Sequence, residues 1–166
     1  MTVNNDIQKL KELFDKHPNA YDIRTNKILA FVEPGPWSNE PMDDIKGVYK
    51  GYNYIVRRNA IIGNWCGYIQ IPFTYAKSTD DLTVHGGITW NSKSLPDGQG
   101  SKKGFIWVGF DTCHSNDLNP PTLMSKFNEY IKEKMDLPPI ENPFKPTYKT
   151  VGFCINEIYK LIDQLG

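Results

Sequence analysis

Apolar residues recur at helical spacing at both ends of the chain. Near the N-terminus, apolar residues at three- and four-residue steps predict a helix over 5–16. After the break at Asn119-Pro120-Pro121, similar spacing predicts a middle helix over 122–135. The last helix has the clearest period, and its apolar positions are Val151, Cys154, Ile155, Ile158, Leu161, Ile162 and Leu165.

Between the helices the chain favours strands. Tyr, Ile, Val and Trp are frequent in 51–58 and 65–72, and the alternating segments 83–90 and 104–111 predict a hairpin closed by a polar loop. Consecutive strands flanked by helices predict an α+β fold. We expect a mostly antiparallel sheet of about four or more strands, with N-terminal, middle and C-terminal helices packed on it.

The length fits one domain spanning residues 1–166. We expect 1–50 to be a variable N-terminal region of helix and loop, and 51–166 to contain the sheet and the later helices. No apolar run reaches the ~20 residues of a membrane span, and the polar N-terminus does not resemble a secretory signal. The sequence therefore predicts a cytoplasmic protein without a membrane partner.

Charge and cysteine content argue against several classes of protein. Nineteen basic and nineteen acidic residues give a net charge of zero, which argues against general nucleic-acid binding. The three cysteines, Cys66, Cys113 and Cys154, form no CxxC pair, which argues against a disulfide framework or a zinc knuckle.

The predicted hairpin places candidate chemistry on one face of the sheet. If Trp90 lies opposite Gly104, then His85 lies across from Gly109 and diagonal to Asp111. Glycines without side chains would open a trough beside His85. The residues expected to bind a ligand in this trough are Gly86, Gly87, Thr89, Trp107, Arg57 and Tyr68.

Ionisable residues follow the last predicted strand at three-residue spacing. Asp111, His114 and Asp117 can converge with His85 if the chain turns tightly, which gives two imidazoles and two carboxylates. This set could hold a divalent metal through all four side chains. Without metal, an Asp–His pair could act as a general base and its orienting group. A third interpretation is structural, because Asp and Asn after a strand commonly cap turns.

Three motifs carry a resemblance to a known group of proteins. The segments WCGYIQIP, VHGGITW and WVGFDTCHSND resemble a family of small uncharacterised proteins that are frequent in bacteriophage and prophage genomes. Many members have a histidine shortly after the first motif, where this chain has Pro72-Phe73-Thr74-Tyr75. The resemblance implies a shared site at His85, Asp111, His114 and Asp117 and a phage setting in a host cytoplasm, but no reaction.

Two hypotheses of function remain. The first is a small hydrolase that acts on a small polar molecule, for example one derived from a nucleotide, with His85, Asp111, His114 and Asp117 as catalytic residues. The alternative is a non-catalytic protein that sequesters a nucleotide-type signal or inhibits a host defence protein. A homo-oligomer is compatible with either hypothesis.

Overall fold

The structure is a computed structural model of the 166-residue chain. It describes residues 35–41, 43–59, 62–74, 79–121, 132–136 and 145–166, together with the single positions 8, 12, 129 and 138 and the backbone of 21–22 and 27–28.

An antiparallel sheet of five strands forms the centre of the described chain. Two short strands, β1 (Tyr21–Asp22) and β2 (Lys27–Ile28), pair with each other in a separate ladder. The larger sheet contains β3 (Ile45–Tyr49), β4 (Tyr52–Arg58), β5 (Trp65–Pro72), β6 (Trp90–Ser92) and β7 (Phe105–Asp111). Its order is β3-β4-β5-β7-β6, so β7 pairs with β5 on one side and with β6 on the other.

The C-terminal helix, Val151–Asp163, packs its apolar stripe on one face of this sheet. It begins at Thr150, whose side-chain oxygen accepts a hydrogen bond of 3.1 Å from the Phe153 N–H. Gly67 lets the helix approach closely, because a Cβ there would overlap Phe110 and lie 3.0 Å from Ile158 Cδ1. The main core consists of this stripe and the facing side chains of β4, β5 and β7, among them Val56, Ile69, Ile71, Val108 and Phe110.

The opposite face of the sheet is covered by a smaller cluster. Ile55, Cys66, Tyr68 and Trp107 project from the strands, and Leu95 from the β6–β7 connection covers them. Residues of β7 therefore alternate between two buried environments, with Val108 and Phe110 on the helix side and Trp107 on the other. This confirms the predicted alternation along 104–111.

The predicted helices have different outcomes. The C-terminal helix is confirmed, whereas the predictions for 5–16 and 122–135 lie largely outside the described residues. Of the positions described there, Gln8, Glu12, Glu129 and 132–134 are helical, and Met135 lies in a turn. The structure thus establishes the antiparallel sheet and one helix packed on it. In the described part of the chain, no helix has the length and apolar character needed to cross a membrane.

The predicted strand over 83–90 is wrong, and so is its register. Gly86 and Gly87 adopt positive φ angles of 69° and 82°, and Gly87 N donates 2.9 Å to Val84 O, so the chain turns there. Pairing begins only at Trp90, which lies opposite Gly109 rather than Gly104. His85 is therefore not a strand residue across from Gly109.

Candidate functional site

The candidate site begins where β7 ends. Thr112, directly after the strand, is buried and fixes the backbone: its hydroxyl donates 2.8 Å to Trp65 O, and its carbonyl accepts 2.7 Å from Asn64 Nδ2. Asn64 and Thr112 therefore direct the following residues, Cys113 to Asp117, into a tight turn beside the sheet.

The turn closes through reciprocal bonds between His114 and Asp117. Asp117 N donates 2.9 Å to His114 O, and His114 N donates 3.0 Å to Asp117 Oδ2. Part of the role of Asp117 is therefore the capping role that short polar residues have after strands.

Asp117 is also hydrogen-bonded to His85. His85 Nε2 lies 2.9 Å from each carboxylate oxygen of Asp117, whose side chain is 0% exposed. Because an ionised carboxylate only accepts hydrogen bonds, Nε2 is the protonated ring nitrogen of His85. Lys149 Nζ, just before the C-terminal helix, lies 3.0 Å from Asp117 Oδ1.

These donors control the charge of Asp117. Burial raises the pKa of this carboxyl, but the hydrogen bonds from His85, from the His114 N–H and from Lys149 outweigh burial, so the pKa lies below its ordinary value of 3.8. Asp117 is therefore ionised at neutral pH and carries the negative charge of a buried cluster.

The C-terminal helix holds His85 from the other side. The His85 N–H donates 3.2 Å to Glu157 Oε2, and its ring meets Phe153 edge to face with centroids 5.2 Å apart. A turn in the middle of the chain is thereby attached to the helix.

His114 forms a second, more exposed pair with Asp111. Its Nε2 lies 3.3 Å from Asp111 Oδ1, within ion-pair distance but without hydrogen-bond geometry, and no other described group satisfies this buried nitrogen. Asp111 is held by Thr89, whose hydroxyl donates 2.9 Å to Oδ2, and by the Cys113 N–H, which donates 3.0 Å to Oδ1.

The two pairs are neighbours. The rings of His85 and His114 lie edge to face, with centroids 5.7 Å apart. Gly86 makes this possible, because a Cβ at that position would overlap the His114 ring. The structure therefore brings together all four residues that the sequence singles out, as a buried His85–Asp117 pair behind a partly exposed His114–Asp111 pair.

A cleft of about 570 Å³ opens in front of His114 and Asp111, which we call the outer pair; His85 and Asp117 are the inner pair. The described residues that line this cleft are Asn59, Ile62, Cys66, Tyr68, Thr89, Trp90, Phe110, Asp111, Cys113 and His114. His85 and Asp117 are not among them, so only His114 and Asp111 of the four face a molecule bound there.

The predicted ligand-binding residues separate into two groups. Tyr68 and Thr89 line the cleft, and Gly86 lies against His114. Gly87 has open space where its Cβ would be.

Arg57 and Trp107 do not line the cleft. Arg57 forms ion pairs with Asp44 at 2.9 Å and Asp97 at 3.1 Å, and Trp107 belongs to the cluster under Leu95. The expectation that both residues rim a trough beside His85 is therefore not met.

The geometry gives no support to a metal centre. Among the described residues, no three His, Cys, Asp or Glu side chains form a group that could hold a metal ion. The ligating atoms of His85 and Asp117 face each other, and the remaining Asp117 contacts are to the His114 N–H and to Lys149.

Sequence reasoning missed two features of the site. Lys149 gave no signal, because it follows Asp117 by 32 residues and only the fold brings them together. Cys66 lies opposite Asp111 in the β5–β7 register, and its thiol donates a hydrogen bond to Cys113. A correct strand pairing would have placed Cys66 beside the site.

Comparison of the chain with protein-family models, with curated proteins and with solved structures finds no match.

Proposed function

We propose that the protein hydrolyses a small, uncharged polar molecule bound in the cleft, with His114 as general base and Asp111 as its orienting carboxylate. One observation carries this proposal: an imidazole with a carboxylate at 3.3 Å lies on the wall of an open cleft large enough for a small molecule. Such pairs are the usual machinery for removing a proton from water at neutral pH.

His114 and Asp111 have different roles in the proposed proton transfer. Asp111 lies on the Nε2 side of the ring, where its negative charge stabilises the imidazolium that forms when His114 takes a proton. Nδ1 of His114 is then the atom that accepts the proton of an attacking water. The water oxygen bonds to an electrophilic carbon of the substrate, the bond from that carbon to the leaving group breaks, and the same proton passes from His114 to the leaving group.

The inner pair positions the outer one. His85 is fixed by Asp117 and by Glu157, and its ring supports the His114 ring from behind. His85 and Asp117 are therefore positioning residues in this proposal, because neither lines the cleft.

The lining residues favour a neutral substrate. Among the described residues around the cleft there is no Lys or Arg, and the carboxylate of Asp111 repels an anion. Asn59, Tyr68 and Thr89 supply polar groups, and Trp90 supplies an aromatic surface. A nucleoside-like or similarly polar ring compound suits this chemistry better than a polyphosphate.

The test is a panel of neutral nucleosides, esters and amides incubated with the full chain. Saturation-transfer NMR detects binding, and mass spectrometry of the recovered compounds detects the addition of one water across a cleaved bond. We expect at least one compound to bind and to be cleaved, and His114→Gln to lower the rate at least ~100-fold. Asp163→Asn is the matched control, because this exposed carboxylate pairs with Tyr49 and Lys50 on another part of the surface.

The same experiment distinguishes the hydrolase from the alternative hypothesis of a non-catalytic binder. If compounds bind and every one of them is recovered intact, the hydrolase is overturned and sequestration is favoured. An unchanged cleavage rate in His114→Gln would also overturn the proposal, because the base would then lie elsewhere.

A further inference from the structure

Two of the three cysteines meet beside the cleft. Cys66 on β5 pairs in register with Asp111 on β7, and Cys113 follows Asp111 by two residues, so both thiols line the same cleft. Their side chains are hydrogen-bonded to each other. Cys154 belongs instead to the main core on the opposite face of the sheet and is fully buried.

The two neighbouring thiols differ in exposure and in acidity. Cys113 is exposed, whereas Cys66 is buried. The hydrogen bond from Cys66 lowers the pKa of Cys113, against the opposite effects of burial and of the Asp111 and Asp117 carboxylates. The same hydrogen bond and burial raise the pKa of Cys66. An exposed thiol with a lowered pKa thus lies against a buried thiol with a raised pKa.

We propose that Cys113 and Cys66 form an oxidisable pair, in which hydrogen peroxide attacks Cys113 and Cys66 resolves the product as a disulfide. Exposure selects Cys113 as the first sulfur to react, and the thiol–thiol contact makes Cys66 its nearest resolving partner.

The chemistry takes place in two balanced steps. The Cys113 thiolate attacks one peroxide oxygen, the O–O bond breaks, and hydroxide leaves and takes up a proton as water, which gives a sulfenic acid. Cys66 then attacks the Cys113 sulfur and loses its proton, the S–O bond breaks, and a second water leaves. Two thiols are oxidised by two electrons in total, and one peroxide is reduced to two waters. A dithiol reductant restores the thiols by exchange.

A Cys66–Cys113 disulfide would join the turn after β7 to β5. His114 is the next residue in that turn, so the bond would restrain the segment that presents His114 to the cleft. The inference concerns thiol chemistry alone and does not depend on hydrolysis.

The experiment exposes the reduced full chain to an equimolar amount of hydrogen peroxide and follows the intact mass. We expect the loss of two hydrogens, a Cys66–Cys113 crosslinked peptide after digestion without reductant, and recovery of the original mass with dithiothreitol. Cys154→Ser is the matched control and should behave as wild type. Cys66→Ser should instead accumulate a sulfenic acid at Cys113 that dimedone traps.

The wild-type digest alone can overturn the proposal. A Cys113 that proceeds to sulfinic acid without a disulfide, a crosslink through Cys154 or between two chains, or an unchanged mass would each contradict the proposed pair. Because the readout is mass, failure here leaves the proposed hydrolase untouched, and failure of the hydrolase leaves this result untouched.

Discussion

The position of a single glycine determines how close the two histidines come. Gly86 has a φ of 69°, and its missing side chain leaves the space that the His114 ring occupies. Gly87 has a similar φ of 82°, but its Cβ position is open. The two neighbours therefore allow backbone strain to be separated from steric overlap.

Gly86→Ala should be more destabilising than Gly87→Ala. Both variants incur the cost of a left-handed backbone, about 1–2 kcal/mol. Only Gly86→Ala displaces His114, for which we expect a further ~1–3 kcal/mol. Urea denaturation measures the difference, and the His114 ring signal in NMR should shift in Gly86→Ala alone. Equal losses in both variants would show that the Gly86–His114 contact does not constrain the fold.

The buried carboxylate Asp117 makes a pH-dependent contribution to stability. Its folded-state pKa lies below the ordinary value of 3.8, so the unfolded chain binds the proton more tightly and stability falls as the pH is lowered through this range. Asp117→Asn should lose roughly 3 kcal/mol at pH 7, because His85 and Lys149 lose their charged partner.

The difference in unfolding free energy between Asp117→Asn and wild type should shrink once the pH falls below about 4. Denaturation in urea at a series of pH values measures this difference, and Asp81→Asn at an exposed position is the control. A difference that stays constant down to pH 3 would show that folding does not lower the pKa of Asp117.

His114 is a site residue rather than a core residue, since 33% of its side chain is exposed. His114→Ala should therefore lower stability by about 1 kcal/mol or less while abolishing the proposed hydrolysis. A thermal melt far below that of wild type would identify His114 as a structural residue and remove the centre of the proposed site.

At the scale of elements, the C-terminal helix joins the core to the site. Its apolar stripe packs on β4 and β5, while Phe153 and Glu157 on the same helix contact His85. The stripe therefore stabilises the sheet, and the polar flank of the helix positions the turn at His85.

Ile158→Ala should be strongly destabilising, by about 2–5 kcal/mol, because Ile158 is 0% exposed and faces Gly67 on β5. Lys160→Ala on the exposed side of the same helix is the control and should change stability by less than ~0.5 kcal/mol. Chemical denaturation of the two variants decides the prediction, and a small loss in Ile158→Ala would contradict the packing described for the helix.

At the scale of the whole described molecule, Glu40 connects three distant segments. It follows a short 3-10 helix, Pro36–Asn39, and its carboxylate accepts hydrogen bonds from Trp65 on β5, from Tyr148 and from the first N–H of the C-terminal helix. Arg58 on β4, whose side chain is 2% exposed, lies 3.5 Å away.

Glu40→Ala should lower the free energy of unfolding by roughly 3–5 kcal/mol. The substitution removes the carboxylate beside the buried Arg58 guanidinium, and it leaves three hydrogen-bond donors without this acceptor. Glu40→Gln should lose less, since the amide oxygen still accepts hydrogen bonds. Thermal unfolding of the two variants measures this order, and losses below ~1 kcal/mol in both would show that this network contributes little to the fold.

The sequence by itself determined the elements whose pattern is local. The C-terminal helix follows from a 3.6-residue period, and strands β4, β5 and β7 follow from runs of β-branched and aromatic residues. The spacing of Asp111, His114 and Asp117 likewise predicted a turn that gathers them, because a turn is a local structure.

Tertiary structure alone decided the partners. Gly86 and Gly87 form a turn where a strand was expected, so the register that placed Trp107 beside His85 does not form. Lys149 and Cys66 reach the site through strand pairing and helix packing across long stretches of chain. Local periodicity fixes which face of an element is apolar, whereas the pairing between elements depends on contacts that no short window of sequence contains.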